Sequence, residues 1–189
     1  MTRPVKSVSR QNQPHRPILP VGFHCSRRSR AGFSLVEIMV VVLIISVLAM
    51  LAVPAFSRIQ RKAKTSVIVN DFRVFGGAFE TYSQEMGKWP AEAAAGVYPA
   101  GMDQRLNPIK WLRVTPMGGK YDWEYKQLHF GITYAAAIAI SSATGAPLTL
   151  DIVQLTDLEH AIDGASQLNW LGGNFHIGSG LNPLFIIQP

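Results

Sequence analysis

Between Glu37 and Arg58 the chain carries 20 consecutive uncharged residues, Ile38 to Ser57, nearly all Val, Ile, Leu, Met or Ala. A helix of that length spans about 30 Å, the hydrocarbon thickness of a bilayer. Many of these residues are β-branched and form helices poorly in water; in lipid the backbone must bond to itself, and a helix is imposed. The segment therefore reads as a transmembrane helix, with the core helix of a soluble domain as the alternative. Its head is unusual. In "AGFSLVEIM", residues 31–39, Glu37 is the only charge. An acid deep in a membrane helix costs about 2.5–3.5 kcal/mol, and less near the helix start, where the amide ends carry partial positive charge. Either Glu37 sits at the interface within reach of water, or it meets a cation. A cut after Gly32 would create one, because the α-amino group of Phe33 would then lie four residues from the carboxylate.

Charge divides the chain at the same place. The formal charge is +6, yet residues 1–32 hold seven basic groups (Arg3, Lys6, Arg10, Arg16, Arg27, Arg28, Arg30) and no acid, and residues 33–189 hold 11 basic and 12 acidic groups. If the first 32 residues are removed, the argument for a nucleic-acid partner goes with them, and no nucleic acid is expected. Cys25, the only cysteine, lies in the same stretch, so the remainder cannot form an intrachain disulfide. Residues 1–30 are rich in Arg, Ser, Pro and Gln without helical or strand period. Basic stretch then apolar run is the layout of a secretory signal, but the run is long for one and no small-x-small pattern closes it before "RIQRKAK" at 58–64.

Past the apolar run, Ile59, Ala63, Val67 or Ile68, Phe72, Phe75, Phe79, Tyr82 and Met86 recur at three- to four-residue steps. That spacing predicts an amphipathic continuation of the helix, about 80 Å in all from Phe33 to Met86 at 1.5 Å per residue. Pro54 should kink it, Gly76-Gly77 weaken it, and Gly87 with Pro90 end it. Residues 91–120 read as a loop with short turns. "YDWEY" (121–125) reads as a half-buried strand. "GITYAAAIAI" (131–140) reads as a strand with Ile132, Tyr134, Ile138 and Ile140 on one side, or as a short alanine-rich helix. "PLTLDIVQ" (147–154) alternates, so a hairpin about "SSATGAP" is expected. "TDLE" (156–159) has capping-box form, predicting a helix from Thr156 to about Asp163, stopped by Gly164. "NPLFIIQP" could add a last edge strand. The expected fold is α+β: a long N-terminal helix, membrane-spanning in its first half and amphipathic in its second, on a small antiparallel sheet.

Catalytic and ligand-binding patterns are weak. "GGK" at 118–120 lacks the upstream glycine and following Ser/Thr of a phosphate loop, and the glycines of 172–180 read as turns. His129, His160 and His176 have no paired ligand spacing. Asp151, Asp157 and Asp163 leave calcium open without an EF-hand pattern, and no other cofactor is indicated. No nucleophile elbow or triad order appears.

The basic leader, Gly32 and "FSLVEIMVVVLIISVLAMLAVPAF" together resemble the class III signal of type IV pilins and type II secretion pseudopilins. "FETYSQEMGKWP" (79–90) is similar to the end of the long helix in major pseudopilins. The lack of a cysteine pair to close a C-terminal loop favours a pseudopilin over an adhesive pilus subunit. The resemblance implies a pilin-like α+β fold in four parts: a leader, 1–32, removed; a transmembrane and filament-core helix, 33–56; an amphipathic helix, 57–87; and a small antiparallel-sheet domain, 88–189. It implies cleavage between Gly32 and Phe33 by a prepilin peptidase, methylation of the Phe33 amine, and pairing of Glu37 with the Phe33 amine of a neighbouring copy, which sets filament register. The implied partners are further copies, other pseudopilins, an inner-membrane assembly platform and the bilayer. The implied setting is a bacterial inner membrane, with the N-terminus cytoplasmic and the domain periplasmic. The family's calcium site does not map onto residues here. On this reading the chain is not an enzyme. A type IV pilus subunit (adhesion, motility or DNA uptake) and a membrane-tethered binding or enzymatic domain are the alternatives.

Overall fold

The computed structural model describes residues 32–164 and 172–189. The chain divides into two units, Met1–Leu43 and Ile44–Pro189, and the division falls inside one helix, α1 (Leu35–Met86). In the first unit Gly32, Phe33 and Ser34 lead into that helix. The Ser34 carbonyl accepts the amides of Glu37 and Ile38 at 3.0 and 3.2 Å, which closes the first helical turn. Every residue from Gly32 to Leu43 is exposed.

In the second unit α1 stays exposed through Gln60 and continues without a break past Pro54. Among the described residues α1 is the one helix long and apolar enough to cross a membrane. Burial begins at Thr65 and takes in Ile68, Val69, Asp71, Phe72, Phe75, Gly76, Phe79 and Tyr82. The expected stripe thus holds from Ile68 to Tyr82. It fails at its ends: Ile59 is 64% and Met86 51% exposed, and Ile59 lies on the side of α1 away from Phe72 and Phe75. Gly87, at φ 65°, ends the helix as its position suggested.

Against this face lies a four-stranded antiparallel sheet in the order β1 (Lys120–Glu124), β4 (Ala136–Ser141), β6 (Pro183–Gln188), β5 (Phe175–Ile177). The core between helix and sheet is aromatic. Phe79 stacks on Trp123 with centroids 3.7 Å apart, Phe75 meets Tyr121 edge-on at 4.9 Å, and Phe72 stacks on Phe185 at 5.5 Å. Such pairs add about 0.5–1.5 kcal/mol each beyond their burial. A one-turn helix, α2 (Pro108–Leu112), inserts Trp111 between Phe75 and Phe79, and its indole N–H donates to the Val97 carbonyl at 2.8 Å.

Four expectations are corrected. The hairpin of 131–140 with 147–154 does not form: β4 pairs with β1 and β6, Leu148 makes only a single bridge to Gly118, and Ile152 already opens a helix. That helix, α3 (Ile152–Asp163), is capped by Asp151, whose side chain accepts from the Val153 amide at 3.0 Å. Thr156 lies inside it and bonds back to the Ile152 carbonyl. Its end is as expected, at Gly164 in the left-handed region (φ 71°). The segment 131–140 is two strands rather than one: β3 (Ile132–Tyr134) pairs with β2 (Gln127–His129) in a separate two-stranded sheet. A register shift at Ala136/Ala137 changes the side-chain parity. Ile138 and Ile140 therefore join Phe72 and Phe75, whereas Tyr134 packs with Ala137, Ala139, Leu184 and Ile186. Finally, β6 is a central strand, not an edge.

Candidate functional site

Gly32, Phe33 and Glu37 come together at the head of α1 because they are contiguous in the chain. Phe33 is 78% exposed, and Glu37 sits in the first helical turn, where the free amides favour a carboxylate. No cation among the described residues pairs with it. A Cβ at Gly32 would meet nothing within 4 Å, and its φ lies outside the left-handed region. The fold of the described residues thus does not require glycine there. Pro54 lies further along α1. Lacking an amide, it leaves the carbonyl four residues back without its usual donor, and the helix proceeds on both sides.

A second constellation holds the domain to the helix, and the sequence did not announce it. Asp71 is 2% exposed, yet its Oδ2 accepts the Tyr121 hydroxyl at 2.6 Å and also a guanidinium N–H of Arg113. A buried carboxylate needs such donors, since an unpaired one would be strongly disfavoured. Burial, then the bond to Asp71, pushes the Tyr121 hydroxyl well above its ordinary pKa, so it acts as a fixed donor. The three members sit on α1, on the segment after α2 and on β1.

On the other face of β1 acids gather. Burial and the neighbouring Glu124 charge push Asp122 up to about 7, against the opposing bond from Ser141. Burial, then Glu92, pushes Glu124 up to about 6. His129, lowered mainly by burial, accepts the Ser179 amide at Nδ1 (3.1 Å), so the neutral ring carries its proton on Nε2, 3.6 Å from Glu124 Oε2. Gln127 donates to Glu92. These contacts place the β2–β3 hairpin against Glu92, Glu124 and Ser179.

Two of the three carboxylates considered for calcium, Asp151 and Asp163, accept backbone amides. Asp151 caps α3, and Asp163 accepts the amides of Asn174 and Phe175, both at 2.8 Å. Among the described residues no group of three or more His, Cys, Asp or Glu side chains is arranged to hold a metal ion. His176 is bonded to the Tyr134 hydroxyl at 2.6 Å, a core contact.

This geometry can be set beside known proteins. Residues 27–53 match the prokaryotic N-terminal methylation motif. The chain is 33% identical over 106 residues to type II secretion system core protein G of Pseudomonas aeruginosa, covering 51% of this chain and 75% of that protein. It is 39% identical over 104 residues to the Klebsiella pneumoniae protein of the same name, covering 48% and 71%. The fimbrial protein EcpC of Eikenella corrodens is 36% identical over 84 residues, covering 44% and 55%. No solved structure matches. With the motif on the exposed head of α1, an α+β layout behind it, and relatives matched over most of their length, the chain belongs to the family of type II secretion pseudopilins and type IV pilins.

Proposed function

We propose that this chain is a non-enzymatic structural subunit of a type II secretion pseudopilus. A prepilin peptidase cuts between Gly32 and Phe33 and the new amine is methylated. The subunit waits in the inner membrane with its N-terminus cytoplasmic and its domain periplasmic. It is then drawn by an assembly platform into a filament of further copies and other pseudopilins. In the filament the exposed apolar half of α1 bundles with its neighbours, Pro54 bends the helix, and Glu37 accepts the Phe33 ammonium of an adjoining copy.

The observation that carries this reading is the spacing at the head of α1: a glycine with no local need to be one, an exposed Phe33, and one carboxylate four residues on, ahead of an exposed apolar helix. The filament pairing would offset the cost of placing Glu37 in an apolar bundle. Mass spectrometry of membrane-purified chain should give a species beginning at N-methylated Phe33; a chain that retains Met1 would refute the reading. Glu37→Ala should be processed normally yet enter filaments at least about a hundredfold less, since removing one member of a buried pair costs about 3–5 kcal/mol. The similarity to a fimbrial protein supports one other reading, a pilus subunit. Deletion would then remove surface fibres and leave export intact.

A further inference from the structure

Between Glu37 and Asp71 the chain has no acid, and four cations, Arg58, Arg61, Lys62 and Lys64, fall within seven residues directly after the uncharged run. Arg58, Lys62 and Lys64 are exposed and Arg61 is half-buried, with its Nε lacking a hydrogen-bond partner. Among the described residues none of the four enters an ion pair. At about 100° per residue they occupy an arc of about 160° on one side of α1. Further along the helix the same side turns Ile68, Phe72, Phe75 and Phe79 into the core. The opposite side at this level carries Ile59 and Ala63 and is uncharged.

A helix face that merely needs solvation mixes its signs, as α1 does later with Asp71, Arg73, Glu80 and Glu85. Here Arg58 and Lys62 are four apart and Arg61 and Lys64 three apart, so like charges face each other and repel. An arrangement of one sign on one arc suits a partner that presents several negative charges at one level. Depth decides which partner. The span takes up about 30 Å, and the cations cover the next 10 Å or so of helix, the level of the headgroups.

We propose that this basic arc binds the phosphate headgroups of anionic phospholipids on the domain side of the membrane, and so fixes how deep the unassembled subunit sits. The proposal rests on the membrane-spanning role given to α1 above. Because the arc lies on the side that carries the domain, the uncharged Ile59–Ala63 side stays free for another helix. Entry into a filament then requires exchange of headgroup contacts for whatever the filament offers these cations.

The test uses the full chain and its triple variant R58Q/K62Q/K64Q in phosphatidylcholine bilayers containing traces of spin-labelled phosphatidylglycerol or phosphatidylcholine. Electron spin resonance gives the fraction of each lipid held motionally restricted by the protein. The parent should restrict phosphatidylglycerol at least about twofold more than phosphatidylcholine, and the preference should be clearly smaller in the variant and weaken in high salt. The leader arginines are common to both chains and drop out of the comparison. Equal restriction of the two lipids by the parent overturns the proposal, as does a preference that the triple substitution leaves undiminished. If the variant keeps its lipid preference but loses crosslinks between copies, the cations serve a neighbouring subunit instead. If neither lipid is restricted, α1 does not span, and both this proposal and the membrane role fail together.

Discussion

Asp71 shows how much one side chain can decide about where the domain sits on its helix. Its carboxylate is buried in α1 and takes donors from Tyr121 on β1 and from Arg113. Asp71→Ala leaves both donors without their acceptor and should cost on the order of 3 kcal/mol in urea denaturation. Tyr121→Phe removes one bond and leaves Arg113 in place, so about 1–2 kcal/mol is expected. A reversed order would mean that the Tyr121 hydroxyl, not the carboxylate, is the member on which the site depends. The adjacent glycines differ just as sharply. A Cβ at Gly77 meets nothing within 4 Å, whereas one at Gly76 lies 3.2 Å from Cε1 of Phe185, a ring already stacked on Phe72. Gly77→Ala should raise the unfolding free energy by about 0.5–1 kcal/mol through the lost flexibility of the unfolded chain. Gly76→Ala should lose that gain to the crowded ring, and thermal melts of the two variants should separate them.

At the scale of elements, β1 turns Tyr121 and Trp123 into the core and holds Asp122 and Glu124 on its other face. With Asp122 raised to about 7 and Glu124 to about 6, the folded chain binds more protons than the unfolded one above the ordinary carboxylate range. The stability these two groups contribute is complete below that range and is lost as pH rises through 6–7. His129, lowered by burial, acts in the opposite sense, so the parent alone would show only a blunted trend. Asp122→Asn removes one acid and keeps the histidine. Relative to the parent it should gain on the order of 1–3 kcal/mol between about pH 5 and about pH 8, read from denaturant midpoints. A parallel pair of curves would show that Asp122 is solvated. Elements of this kind were unevenly legible in the sequence. The long helix was plain, because its apolar period and its terminal glycine are local signals, and β1 was plain because its aromatics alternate with acids. Partners were not: alternation tells which face a strand buries, but nothing in "NPLFIIQP" says that it lies between β4 and β5. "TDLE" misled because Asp151, five residues earlier, caps equally well, and Gln154 and Leu155 ahead of Thr156 already lie on the buried face of the helix. The head of α1 could be read because its members adjoin in sequence. The Asp71 constellation could not, with Arg113 and Tyr121 42 and 50 residues away.

For the whole molecule the proposed processing would change the distribution of charge, and that change bears on how the chain would enter a membrane. While the leader is attached, seven cations precede the apolar run, with Arg27, Arg28 and Arg30 nearest to it; Arg58, Arg61, Lys62 and Lys64 follow it. Orientation is set by Lys and Arg close to the ends of a span, and acids contribute little, so the three cations just ahead of the run nearly balance the four behind it, and only while the leader is attached. Once a cut after Gly32 has removed the leader, no Lys or Arg remains ahead of the run and all four lie behind it. A mature chain inserting afresh would be directed the wrong way round, with the domain inside. Under the proposed processing the orientation has to be established before cleavage, and the leader would serve as an orienting element as well as the proposed peptidase substrate. A chain expressed from a start codon placed directly before Phe33 should insert with its C-terminus cytoplasmic in a large share of molecules. A phosphatase fused after Pro189 reports this, since it is active only outside the cytoplasm, and its activity should fall severalfold relative to the full chain. Restoring three arginines ahead of Phe33 without a cleavable Gly32 should recover the activity. If the leaderless fusion stays fully active, the basic arc after the span does not compete for the cytoplasmic side, and headgroup binding on the outer face must be strong enough to override the usual rule.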